Sequence, residues 1–154
     1  MSNKSWSVVL VAIALSLVFA LLAGCSKEED GPYVGTISDV KIATAVDNYG
    51  QPIQPKTVFP AGTKAFYCSF KISHFPAGAK MLAEWIYVTG EAVDEVGENN
   101  IFQVNTGTLS GDDGYTSMAL EMPPYPDYTW PKGEYKVVLS VDGEEKASTS
   151  FKVE

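Results

Sequence analysis

The tightest constraint in this chain is a two-residue alternation on both sides of an Asp-Gly pair near its end. Tyr135, Val137, Leu139 and Val141 occupy every second position, and Ala147, Thr149, Phe151 and Val153 repeat the pattern after Asp142-Gly143. A period of two places one set of side chains on one face of a strand. Asp-Gly supplies the left-handed residues that a tight hairpin turn requires. A lone hairpin is marginal in water, so this apolar face demands further strands to cover it.

The rest of the chain supplies them. Val40 and Ile42 alternate with Asp39 and Lys41. Phe66, Cys68, Phe70 and Ile72 share one face, against Ala65, Tyr67, Ser69 and Lys71 on the other. Ala83, Trp85 and Tyr87 lie opposite Glu84, residues 101–106 form a short strand, and Thr116, Met118, Leu120 and Met122 align. Gly50-Gln51-Pro52, the stretch 55–62, Pro76-Ala77-Gly78 and Met122-Pro123-Pro124 read as punctuation, since proline cannot donate to a ladder. Residues 91–100 are acidic and irregular. No stretch of this domain holds a helical period, so the expectation is an all-β fold of about seven strands.

The N-terminus has a different character. Residues 1–7 are polar with Lys4, residues 8–22 are apolar apart from Ser16, and Leu22-Ala23-Gly24-Cys25 precedes the polar run Ser26-Lys27-Glu28-Glu29-Asp30-Gly31-Pro32. The apolar run is short for a bilayer span of about 20 residues and suits the centre of a secretion signal. Leu22-Ala23-Gly24-Cys25 resembles the lipobox of bacterial lipoproteins. That resemblance implies cleavage between Gly24 and Cys25 and acyl chains, of the palmitate kind, on Cys25. Two or more acyl chains anchor stably where one does not. It also implies an extracytoplasmic address and, in a Gram-negative cell, sorting to the outer membrane, because Ser26 rather than Asp follows the cysteine. The expected organisation is a signal peptide with its helix at 1–24, a lipidated tether at 25–33 reaching at most about 25 Å, and a sandwich domain at 34–154.

Charge narrows the partners. The net charge is −8, there is no arginine, and every acidic residue follows position 27. Removing Lys4 with the signal makes the mature chain more acidic still. Such a surface repels polyanions, which argues against nucleic acid and against anionic headgroups. Membrane lipid therefore becomes a partner through acylated Cys25. Acylation of Cys25 leaves Cys68 without an intramolecular partner.

Three features resemble the immunoglobulin-like sandwich. Cys68 on an apolar stripe and Trp85 on the next long strand stand where that family has its second-strand cysteine and third-strand tryptophan. Gly133-Glu134-Tyr135-Lys136-Val137 resembles the stretch that holds the tyrosine corner, with Val137 in place of the second cysteine. The spacing from Cys68 to Trp85 is longer than in antibody domains, and the family disulfide cannot form. Phe75-Pro76-Ala77-Gly78 leading into Glu84-Trp85, and Trp130-Pro131-Lys132-Gly133-Glu134-Tyr135-Lys136-Val137, also resemble Ig-like domains of bacterial envelope proteins. The resemblance implies a fold and a location, not an activity.

Chemistry is sparse. His74 precedes Phe75-Pro76 at a strand end, without an evident base or ligand set around it. Cys68 sits among Phe66, Phe70 and Ile72, which reads as a core thiol rather than a nucleophile. Glu91, Asp94, Glu95 and Glu98, and separately Asp112 and Asp113, lack the spacing of a calcium loop. No catalytic residue, metal site or cofactor is therefore expected. The most suggestive stretch is the proline-stiffened connector 122–130, where Tyr125, Tyr128 and Trp130 form either a platform for a small ligand or glycan or a lid over the core. Trp85 is expected to be the central core residue, with Trp130 less important. The leading reading is a lipid-anchored interaction or scaffolding module for an envelope protein or glycan.

Overall fold

The structure is a computed structural model that describes residues 35–154. The expected signal peptide, the expected cleavage site at Gly24 and Cys25, the lipidation expected at Cys25 and the whole of the tether lie outside the described residues. Eight strands follow in order: β1 (Thr36–Ala43), β2 (Val58–Phe59), β3 (Ala65–Ser73), β4 (Lys80–Gly90), β5 (Asn100–Thr108), β6 (Gly114–Glu121), β7 (Gly133–Val141) and β8 (Glu144–Val153), with a four-residue helix α1 (Val93–Val96) between β4 and β5. They form a three-stranded sheet, β1-β3-β6, facing a five-stranded sheet, β2-β8-β7-β4-β5. This is an immunoglobulin-like β-sandwich: all-β as the alternation predicts, and Ig-like as the resemblance implies.

The β7–β8 hairpin forms as its sequence demands. Asp142 and Gly143 both adopt positive φ, 50° and 85°, which is the geometry of a two-residue turn matched to strand twist. Tyr135, Val137, Leu139 and Val141 are buried, and Tyr135 stacks on Phe151 across the hairpin with centroids 5.2 Å apart. From the facing sheet, Phe66 closes the core against Phe59, Trp130 and Phe151 at 4.9–5.5 Å. Cys68 and Val137, the two positions that the resemblance sets against the disulfide of Ig-like domains, are both fully buried. Burial pushes the Cys68 thiol up to about 12, so it is packing and not a nucleophile. The Tyr135 hydroxyl donates to the Pro131 carbonyl at 2.6 Å, which is a tyrosine corner.

Three elements depart from the sequence expectation. The stretch 55–62 contains β2, which runs parallel to β8 and puts Phe59 into the core. Two residues are too few to show a period. The irregular stretch 91–100 holds α1, too short to show one either. Ser69, on the outward side of β3, is fully buried rather than exposed. The connection between β1 and β2 folds back over this face, and the Ser69 hydroxyl donates to the Gly50 carbonyl at 2.6 Å.

Candidate functional site

The connector between β6 and β7 separates its three rings. Trp130 is only 2% exposed, its indole N–H donates to the Thr63 carbonyl at 2.7 Å, and it packs against Phe66 and Tyr128. A buried indole needs an acceptor, and a main-chain carbonyl supplies it. Tyr128 is half-buried beside it, and burial raises its hydroxyl pKa. Tyr125 alone is exposed, at 70%. The rings therefore do not make a continuous platform: Trp130 belongs to the core, contrary to the lesser role expected for it.

What the connector does build is a small aromatic cleft. Tyr87, Val96, Phe102, Tyr128, Trp130 and Tyr135 line a space of about 80 Å³ at this end of the sandwich. A dry cavity of about 150 Å³ holds one benzene. This cleft is too small for a sugar ring and suits a single aliphatic side chain. Its floor is rigid. The Tyr87 hydroxyl accepts the Ala92 N–H and donates to the Lys132 carbonyl. Gly90 and Gly133 bring β4 and β7 so close that a Cβ on either would lie 2.3 Å from a main-chain oxygen.

Phe102 joins the cleft to a second feature, the outer side of β5. Among the described residues β5 is one of the two edge strands of its sheet, the other being the two-residue β2. Its register with β4 pairs Ile101 with Ile86, Val104 with Glu84 and Thr106 with Leu82, all on the outward face. Ile101 and Val104 are 47% and 48% exposed, and Ile86, Leu82 and Val88 are half-buried beside them. Further into the sheet the face carries Lys136, the buried Val138 and Ser140 of β7, and becomes polar at Ser148 and Ser150 of β8. No residue of β5 is charged, in a chain of net charge −8. Edge strands are ordinarily protected by charge or proline. This one is not.

The inward side of β5 explains why its apolar residues face out. Trp85 is fully buried and its indole N–H donates to Asn105 Oδ1 at 2.6 Å. Gln103 donates to Asn105 and, across to the other sheet, to the Ala119 carbonyl at 3.2 Å. The polar positions of β5 thus close the open side of the sandwich; alternation with Gln103 and Asn105 turns Val104 to solvent, and the register shift at Phe102 brings Ile101 out beside it. Sequence reasoning missed Gln103 and Asn105. The available signal was the indole of Trp85, whose burial obliges an acceptor nearby.

The other sequence candidates do not converge on a reaction centre. His74 is exposed with positive φ, and its main-chain N–H donates to Asp113 Oδ1 at 2.7 Å. Glu91 accepts the Lys132 N–H at 3.0 Å and ties the loop after β4 to β7. Among the described residues no His, Cys, Asp and Glu group is arranged to hold a metal ion, and no helix is long and apolar enough to cross a membrane.

No protein-family model matches the chain, and no curated protein matches it in sequence. Among solved structures, the chain is similar to an alkylpurine DNA glycosylase of Pseudomonas fluorescens bound to DNA containing an abasic-site analogue, with a TM-score of 0.52 and 16% identity over 80% of this chain. An immunoglobulin-like protein from Pseudomonas aeruginosa has a TM-score of 0.47 and 22% identity over 81% of this chain and 94% of its own. A β-glucosidase from Listeria innocua in complex with isofagomine has 0.46 and 11% over 77% of this chain and 16% of the enzyme. The chain spans 31% of the glycosylase's length, and that likeness is one of fold alone.

Proposed function

We propose that this chain is a lipid-anchored, non-catalytic module that holds another protein of the cell envelope through the outer side of β5. The observation that carries the reading is an uncharged edge strand with apolar side chains on its outer face. Ile101 and Val104 face solvent there beside Leu82 and Ile86, next to an aromatic cleft sized for one aliphatic side chain. An extended segment added along β5 gains main-chain hydrogen bonds, and alternate side chains find pockets. The occupant is therefore an extended apolar stretch of a partner protein, with one side chain in the cleft. Leu22-Ala23-Gly24-Cys25 supports attachment at the extracytoplasmic face of a membrane through acylated Cys25.

A photo-reactive residue at position 104 or 148 of the full chain, expressed in its native membrane, tests this. The expected result is a discrete protein adduct from position 104 and little or none from 148, on the polar side of the same sheet. Loss of the adduct with Cys25→Ala is expected if anchoring brings the partners together. Equal yields at both positions, or none at 104, would set the docking surface aside.

A further inference from the structure

The connection between β1 and β2 is organised around a residue that contributes little to the core. Tyr49 is 77% exposed at the tip of the loop 46–52. Yet Asp47 Oδ1 accepts the N–H groups of Tyr49 and Gln51 at 2.8 and 2.9 Å, the Asp47 N–H donates to the Gln51 carbonyl, and Val46 bridges to Pro52. Beneath the tip, the buried Ser69 hydroxyl holds the Gly50 carbonyl. Gly50 has φ +79° and lies so near Thr116 that a Cβ would sit 3.0 Å from its Cα. Ordering a loop opposes folding by about 1–2 kcal/mol per residue. A main chain held this firmly presents the exposed Tyr49 ring at a fixed place on the surface, which lowers the cost of ordering the loop around something outside the chain.

The ring stands over a broad groove of about 700 Å³, in the range of about 300–1,000 Å³ typical of ligand sites. Gln51, Asp113, Tyr115, Thr116 and Ser117 line it. Its charged lining residues are Asp47 and Asp113, with no lysine, so the groove repels phosphate and carboxylate ligands. Each of these carboxylates has Oδ1 engaged by main-chain N–H groups, which fixes its position and leaves Oδ2 for a ligand hydroxyl. The Tyr115 hydroxyl donates to Asp39, which steadies the second ring. Amide, hydroxyl and carboxylate groups beside an exposed aromatic ring match a neutral polyhydroxyl ligand.

We infer that this groove binds a neutral glycan chain, with Tyr49 as the stacking residue. The site is separate from the β5 surface and does not depend on docking there. The test uses the full ¹⁵N-labelled chain in a detergent without a sugar headgroup. Cellopentaose, maltopentaose, chitotetraose and, as a cationic contrast, pentalysine are titrated separately. At least one sugar is expected to shift amides within 47–51 and 113–117, with binding weakened about tenfold or more by Tyr49→Ala and unchanged by Tyr125→Ala. Tyr49 is exposed, so its truncation leaves the fold intact. Absence of these shifts with all three sugars, unchanged binding by Tyr49→Ala, or tighter binding of pentalysine at the same amides would overturn the inference.

Discussion

The two aromatic connections of this sandwich have opposite orientations. The connector 122–130 is dense in rings and proline, and it turns its tryptophan inward to roof the core. The β1–β2 connection reads as punctuation, and it turns its tyrosine outward on a loop anchored by a buried serine. Ring count therefore does not locate a display surface. The position of hydrogen-bond partners does: Trp130 has the Thr63 carbonyl waiting inside, whereas Tyr49 has its main chain held and its ring left free. The inward ring is part of what stabilises the fold, and the outward one adds nothing to the core.

Substitutions can break this comparison. The largest effects fall on the tryptophans. Trp85→Ala and Trp130→Ala each remove a buried ring together with a buried N–H donor, at a cost of about 3–5 kcal/mol. Against a total of about 5–15 kcal/mol, both variants should be severely destabilised in chemical denaturation. A mild Trp130→Ala would return the connector to the surface. The core side has a second signature in alkali. The Cys68 thiol is raised from 9.0 to about 12 by burial, so its neutral form favours the folded state. That contribution is complete below the unfolded thiol's pKa and is lost as pH rises from about 9 through about 12. Cys68→Ala should flatten part of the alkaline loss of stability followed by circular dichroism, and an unchanged slope would place the thiol in water.

Effects on the loop are smaller. Ser69→Ala leaves the Gly50 carbonyl without its buried donor, at a cost of about 1–3 kcal/mol. Amide exchange at residues 47–51 should accelerate more than exchange in β7. Equal exchange in wild type and variant would mean that the loop is not held by the serine. Tyr49→Ala and Tyr125→Ala should change stability by no more than about 0.5 kcal/mol, because both rings are exposed. A larger loss at Tyr49 would make it a packing residue.

Much of the fold was legible because burial and period coincide. The stripes Phe66 to Ile72 and Tyr135 to Val141 face the core as their alternation requires, and the Tyr135 corner follows from a hydroxyl needing a local acceptor. The hidden parts have specific causes. β2 has too few residues to show a period. β5 alternates with its polar side inward, because Asn105 answers Trp85 and Gln103 bridges the two sheets. Ser69 sits on a face that one strand alone would leave exposed, and only the returning loop covers it. The β5 surface and the Tyr49 groove both arise from these hidden parts, which is why no motif announced either.

Hydroxyl-radical footprinting of the native chain, read residue by residue by mass spectrometry, compares both connections in one experiment. Tryptophan is intrinsically at least as reactive as tyrosine, so protection of Trp130 cannot be a matter of chemistry. The account predicts rapid oxidation of Tyr49 and Tyr125, with Trp130 and Trp85 spared until the protein is denatured. Oxidation of Trp130 at or above the rate of Tyr49 in the native state would contradict it.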